Sequence, residues 1–169
     1  MAGAKWWTWS IVIAALVLCT VLVGIWQLQR GGDKGLSGIE AQDRDPVWQA
    51  QVKLGADLYA RHCSSCHGAS LEGQSNWRKR LPDGSFPAPP HDETGHTWHH
   101  PDSVLFTTTK FGGQATAPPD YPSKMPAFSA VLSDDEIRAV LAFIQSRWPL
   151  EVRRLQEEIN RHGSARVAP

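Results

Sequence analysis

Cys63-Ser64-Ser65-Cys66-His67 limits what this chain can become more than any other stretch. Two thiols separated by two residues share one helical turn, and an imidazole follows at once. That spacing suits covalent attachment of a c-type haem: the thiols add to the two vinyl groups of one porphyrin, and His67 reaches the iron from one face. A bare C-x-x-C also serves as a redox dithiol or as half of a zinc site. Zinc usually asks for a second ligand pair; the third cysteine, Cys19, forms no such pair, although histidines remain available. A thioredoxin-like dithiol needs alternating strand and helix patterns, which this proline-rich chain lacks.

The flanks favour the haem reading. Asp45 and Pro46 form an N-cap and first-turn pair, and Val47, Trp48, Leu54, Leu58 and Tyr59 follow at helical spacing, so a helix runs into the motif. Gly55 within it lowers helix propensity by about 1 kcal/mol relative to Ala, which points to a close packing contact there. Met125 is the only methionine besides Met1, and it lies in Tyr121-Pro122-Ser123-Lys124-Met125-Pro126. Prolines exclude helix and central strand in that stretch. A proline-held loop is suited to presenting a thioether to iron, whereas elsewhere a lone methionine reads as core filler. Ser133-Asp134-Asp135-Glu136 is a capping box, and Ile137, Val140, Leu141, Ile144 and Trp148 then form an apolar stripe that ends at Pro149. This helix is expected to pack on the one before the motif, with Gly55 facing a large ring such as Phe143.

Together these residues resemble the class I c-type cytochromes. The likeness spans Pro46 to Pro149: Gly55 and Tyr59 ahead of Cys63-x-x-Cys66-His67-Gly68, then the Met125-Pro126 loop, then the Leu132-Ser-Asp-Asp-Glu-Ile137 helix. It implies a mostly α fold around one haem c, with thioethers to Cys63 and Cys66, His67 as the proximal ligand and Met125 as the distal one. It also implies that haem is attached outside the cytoplasmic membrane of a bacterium.

Composition bounds the rest. The chain has 169 residues with 17 basic and 17 acidic side chains, so the excess of cations that nucleic-acid binding needs is missing. Residues 1–28 read as an N-terminal transmembrane anchor, because Trp6 to Leu28 carries no charge and 23 helical residues reach roughly 35 Å. Trp6, Trp7, Trp9 and Trp26 sit where interfacial aromatic belts are expected. A cleaved signal peptide fits less well, since its apolar stretch is shorter, and Val17-Leu18 before Cys19 are not the small residues of a lipoprotein signal. Residues 29–45, with four glycines, read as a flexible linker; 46–149 as the haem domain; and 150–169 as a polar helix and tail with a weak stripe at Leu150, Val152, Leu155 and Ile159. With the resemblance, this makes the chain a single-pass protein of the bacterial inner membrane, its haem domain facing the periplasm and Cys19 a small apolar residue within the anchor.

Between motif and methionine loop the resemblance gives least. Trp77-Arg78-Lys79-Arg80 offers donors to a haem propionate, chiefly Trp77 and Arg80, or a docking patch for an acidic partner. Trp98 is a further propionate donor. His91, His96, His99 and His100 could bind copper or zinc, or one of them could displace Met125, although Gly95 and Pro101 mark a loop without regular ligand spacing. Pro101 to Phe111 reads as a short helix with Val104, Leu105, Phe106 and Phe111 inward, stopped by Gly112-Gly113.

The expected function is electron transfer by one His/Met-ligated haem, exchanging electrons with membrane-bound or periplasmic redox proteins, and not catalysis. Two alternatives keep the same motif: a haem subunit of a larger membrane oxidoreductase, and an enzyme or sensor whose Met125 dissociates to admit a ligand.

Overall fold

The computed structural model describes the backbone of residues 4–165 and the side chains of residues 11–27 and 38–163. Among the described residues six α-helices follow one another: α1 (Ala4–Arg44), α2 (Pro46–His62), α3 (Ser64–His67), α4 (Asp102–Phe111), α5 (Asp134–Ser146) and α6 (Leu150–Ala165). Two 3-10 turns, Thr97–His99 and Gly113–Ala115, flank α4, and the described residues contain no strand. The chain divides into two compact units, Met1–Gly38 and Ile39–Pro169.

In the first unit, the exposed large apolar side chains that are described run from Ile11 to Trp26. Among the described residues no helix is long and apolar enough to cross a membrane. That corrects the expectation of a single-pass inner-membrane anchor, and with it the periplasmic orientation. Cys19 is exposed on α1; the side chains of Trp6, Trp7 and Trp9 lie outside the described residues.

The backbone of 29–44 is helical rather than a Gly-rich coil. Its last turns belong to the second unit, because Ile39 is fully buried and Arg153 donates to both carboxylate oxygens of Asp43 at 2.7 Å. Arg153 also donates to Gln42 Oε1 at 3.0 Å.

The second unit is built on α2 against α5. Asp45 caps α2 by accepting from the Val47 N–H at 2.8 Å, with Pro46 in the first turn where its missing donor costs nothing. Ser133 and Glu136 close the expected box on α5: the Ser133 N–H donates to the Glu136 carboxylate at 2.8 Å and the Glu136 N–H donates to Ser133 Oγ at 3.3 Å. The Ser133 N–H, and then its hydroxyl donating at 2.9 Å, hold the Glu136 carboxyl below its ordinary value. Leu58 and Tyr59 from α2 meet Ile137, Val140, Leu141, Ile144 and Trp148, with Leu71, Leu105 and Leu132 completing the core. Each aliphatic side chain so buried contributes about 1.5–3 kcal/mol. The stripe on α5 is buried as its spacing predicts; on α2, Val47 and Leu54 remain exposed.

On α4, Leu105 is buried while Phe111 is 57% exposed, so the expected inward stripe stops a turn early. The N-terminus of α4 has no side-chain cap from its own preceding residue; the Asp102 N–H donates instead to Asn160 Oδ1 of α6 at 2.7 Å. Gln145 and Gln156 both donate to Asp102 Oδ1 at 2.7 Å. The inward face of α6 is accordingly polar, with Arg153 and Gln156 buried and Leu150 and Leu155 exposed. Specific hydrogen bonds dock this polar helix, and of its weak apolar stripe Val152 packs against the core.

Candidate haem-binding site

The haem motif begins where α2 stops. The Cys63 N–H donates to Tyr59 O at 2.9 Å, the chain turns, and α3 winds once more through Ser64 to His67. Both thiols are free, Cys63 half-buried and Cys66 exposed. Burial, then the neighbouring Cys66, pushes the Cys63 thiol up to about 11. Tyr59 is raised further, chiefly by burial, and donates its O–H to Gly68 O at 3.0 Å. That bond ties the turn after His67 back to α2.

His67 is buried, and its Nδ1 lies 2.9 Å from Pro89 O. A carbonyl only accepts, so Nδ1 carries the proton and Nε2 keeps its lone pair. Burial lowers the pKa of this imidazole, while the bond to Pro89 opposes that effect. The donor set therefore fits a covalent haem c: two free thiols one turn apart and an imidazole nitrogen left unprotonated for iron. Once bound, the group supplies a one-electron couple between ferrous and ferric iron.

The loop of residues 71–91 is held across from the motif. The Gly73 N–H donates to His67 O at 2.8 Å, the Gln74 N–H to Ala88 O at 2.9 Å, and the Ala88 N–H returns to Gln74 Oε1 at 3.0 Å. His91 stacks on His67 with ring centroids 3.9 Å apart and planes 21° from parallel. Burial holds the His91 imidazole well below its ordinary pKa, with the neighbouring His67 and His96 acting in the same direction.

Met125 lies in an irregular, half-buried segment, as its prolines predict. Its C=O accepts from the Gly113 N–H at 3.1 Å, and its N–H donates to Ser123 Oγ at 3.3 Å. The Phe128 and Ser129 N–H groups donate to Thr109 O and Lys110 O at 3.2 and 3.0 Å. Gly112 has φ +87°, and a Cβ there would stand 3.1 Å from both Met125 O and Ala127 N. The pair read from sequence as a helix stop is also the seat of the methionine loop. Lys124 pairs with Asp83, joining the loop to the 80s turn.

The other sequence-derived site residues make contacts of their own. Trp77 is half-buried, stacked on His96 at 5.5 Å, with the Arg78 guanidinium 4.1 Å above its ring. Arg80 donates to Gly84 O at 2.7 Å and Asp120 O at 3.4 Å, and lies over Phe86. Trp98 donates its single N–H to Glu93 O at 3.2 Å and stacks on His99. Among the described residues no group of three or more His, Cys, Asp or Glu side chains is arranged to hold a metal ion. The rings of the histidine-rich segment are occupied in stacking: His91 on His67, His96 on Trp77, His99 on Trp98. Sequence reasoning missed Pro89 and Thr97, and it read His91 as a metal or distal ligand rather than as a ring stacked on His67; the run Pro89-Pro90-His91 was the available signal.

A small helical unit with paired thiols and an adjacent, oriented histidine defines a protein that carries covalently attached haem. The family model for cytochrome c matches residues 52–148, more than half of the chain, and the chain belongs to the cytochrome c family. Haem-based electron transfer follows as its general activity. Neither the curated proteins nor the solved structures contain a match.

Proposed function

We propose that this chain is a single-haem electron carrier of the class I type, with His67 and Met125 as the two axial ligands. The observation that carries the reading is the clamp on the methionine loop, where Gly113 binds the Met125 carbonyl and Ser123 accepts from its N–H. A weak thioether ligand is retained against competing water only if the chain presents it already ordered, and the clamp provides that order. One C-x-x-C-H in the whole sequence supports one haem per chain.

In this reading each residue has one task. Cys63 and Cys66 fix the haem by thioethers. His67, with its proton committed to Pro89, offers Nε2 to the iron. Met125 would supply the second ligand, and no open coordination site would then remain for substrate. The partner is another redox protein with an acidic face, and Arg78, Lys79 and Arg80, all exposed, form the local cationic surface it would meet. Residues 46–149 hold nine basic and ten acidic side chains, so the attraction is local rather than domain-wide.

Carbon monoxide tests the closed site. Ferrous wild-type protein is expected to keep its spectrum unchanged under the gas, while Met125→Ala converts to the carbonyl form. Rapid uptake by wild type would place the protein with haem enzymes or sensors instead.

A further inference from the structure

A hydrogen bond at one ring atom does not fix the plane of an imidazole. The χ2 torsion of histidine is broad, so His67 tethered only at Nδ1 retains freedom to tilt and swing about the Pro89 bond. A second flat group against its face removes that freedom, and His91 is so placed, 3.9 Å away and 21° from parallel.

His91 is itself held at three points. Its N–H donates to Leu71 O at 2.7 Å, its C=O accepts from Trp148 Nε1 at 2.7 Å, and its Nδ1 lies 2.8 Å from Thr97 Oγ1. Thr97 is buried and directs its own hydroxyl to Pro90 O at 3.4 Å, so its oxygen accepts from His91. Two consecutive carbonyls thus orient two stacked rings: Pro89 takes His67 directly, and Pro90 takes His91 through Thr97.

Leu71 shows the same investment. It is a buried residue with φ +71°, a left-handed conformation that is strained for a residue with a side chain. Such strain persists where surrounding contacts over-determine the backbone, and here the strained residue supplies the carbonyl that accepts the His91 N–H. Space-filling alone would require none of these constraints.

We propose that His91 is a positioning residue for His67, its stacked ring fixing the plane of the axial imidazole and so the electronic state and potential of the iron that this imidazole binds. The inference rests on the reading of His67 as an axial ligand. Groups just beyond the ligand itself tune metal centres by setting ligand orientation and basicity.

The test uses the ferric holoprotein and reads the spread of the hyperfine-shifted haem methyl resonances, which follows the axial ring plane, together with the reduction potential. His91→Ala is expected to change the spread and to move the reduction equilibrium constant by about tenfold, or ~59 mV for one electron. His91→Phe restores a flat ring and should return both quantities most of the way to wild type. Thr97→Val should move both in the direction of His91→Ala, and Thr97→Ser should leave them unchanged. An unaltered spread and potential in His91→Ala, or a His91→Phe variant displaced as far as the alanine variant, would overturn the proposal. If His91→Ala does not fold, the Thr97 pair decides alone, and a Thr97→Val protein identical to wild type overturns it. Failure of the ligand reading has a separate sign: His67→Ala would then keep the low-spin ferric signal of wild type.

Discussion

Replacing Cys63 and Cys66 together by alanine is expected to abolish covalent haem, so that the chain leaves a denaturing gel without haem stain and its intact mass is that of the polypeptide alone. Each single variant should retain one thioether and part of the stain. The two thiols stand within one turn, Cys63 at the break between α2 and α3 and Cys66 within α3, and no disulfide or other cysteine competes for them among the described residues. Their loss leaves His67 oriented by Pro89, so haem added to the double variant is held only by coordination and packing. A redox dithiol or half of a zinc site predicts the opposite starting point, a wild-type chain with no haem mass to lose. The comparison therefore separates haem attachment from the other two chemistries that a C-x-x-C spacing allows.

Gly55→Ala is expected to destabilise the second unit by about 3 kcal/mol, at the upper end of ordinary overpacking. A Cβ at this position would lie 1.9 Å from Ala139 O, 2.5 Å from its carbonyl carbon and 2.9 Å from Phe143 Cβ. Two of these atoms are backbone of α5, so no rotamer change relieves the clash and the helices must separate. Separation loosens the contacts of Leu58 and Tyr59 with Ile137 and Val140 along the main seam of the core. Denaturant unfolding of the holoprotein measures the effect as a lower midpoint at unchanged slope. Gly38→Ala is the control, since its Cβ would meet nothing within 4 Å on a helix where alanine is the better residue. A Gly55→Ala midpoint equal to that of the control would contradict the packing described.

Local signals were readable where the structure uses local physics. The Asp45-Pro46 start of α2, the Ser133 and Glu136 box and the stripe from Ile137 to Trp148 depend on spacings of three and four residues, and all are present. The close approach at Gly55 was also legible, although it is the Ala139 backbone, not the ring of Phe143, that comes nearest. Readings that weighed hydropathy without a partner fared worse. The uncharged N-terminal stretch suggested a membrane span that the described helices do not provide. The glycines of 29–44 suggested coil, yet the backbone is helical and its end is secured by Arg153, more than a hundred residues away. The segment after Pro149 reads as a polar helix, and α6 is one, but its spacing did not show that Arg153, Gln156 and Asn160 bond to distant groups.

At the site the division is the same. The thiols and His67 were visible because their chemistry lies in five consecutive residues. What orients His67 was not visible, because Pro89 and His91 reach it across more than twenty residues through a backbone held partly by the unusual conformation of Leu71. The seat of Met125 was half visible: Gly112-Gly113 announced a turn, but only the fold brings that turn under the methionine carbonyl.

Potentiometric titration of the purified holoprotein, with haem and chain quantified in the same sample, tests the central claim most directly. The account predicts one haem per chain and a single reversible one-electron transition whose potential falls in Met125→Ala. A chain without haem, more than one haem per chain, or a potential indifferent to Met125 would contradict it.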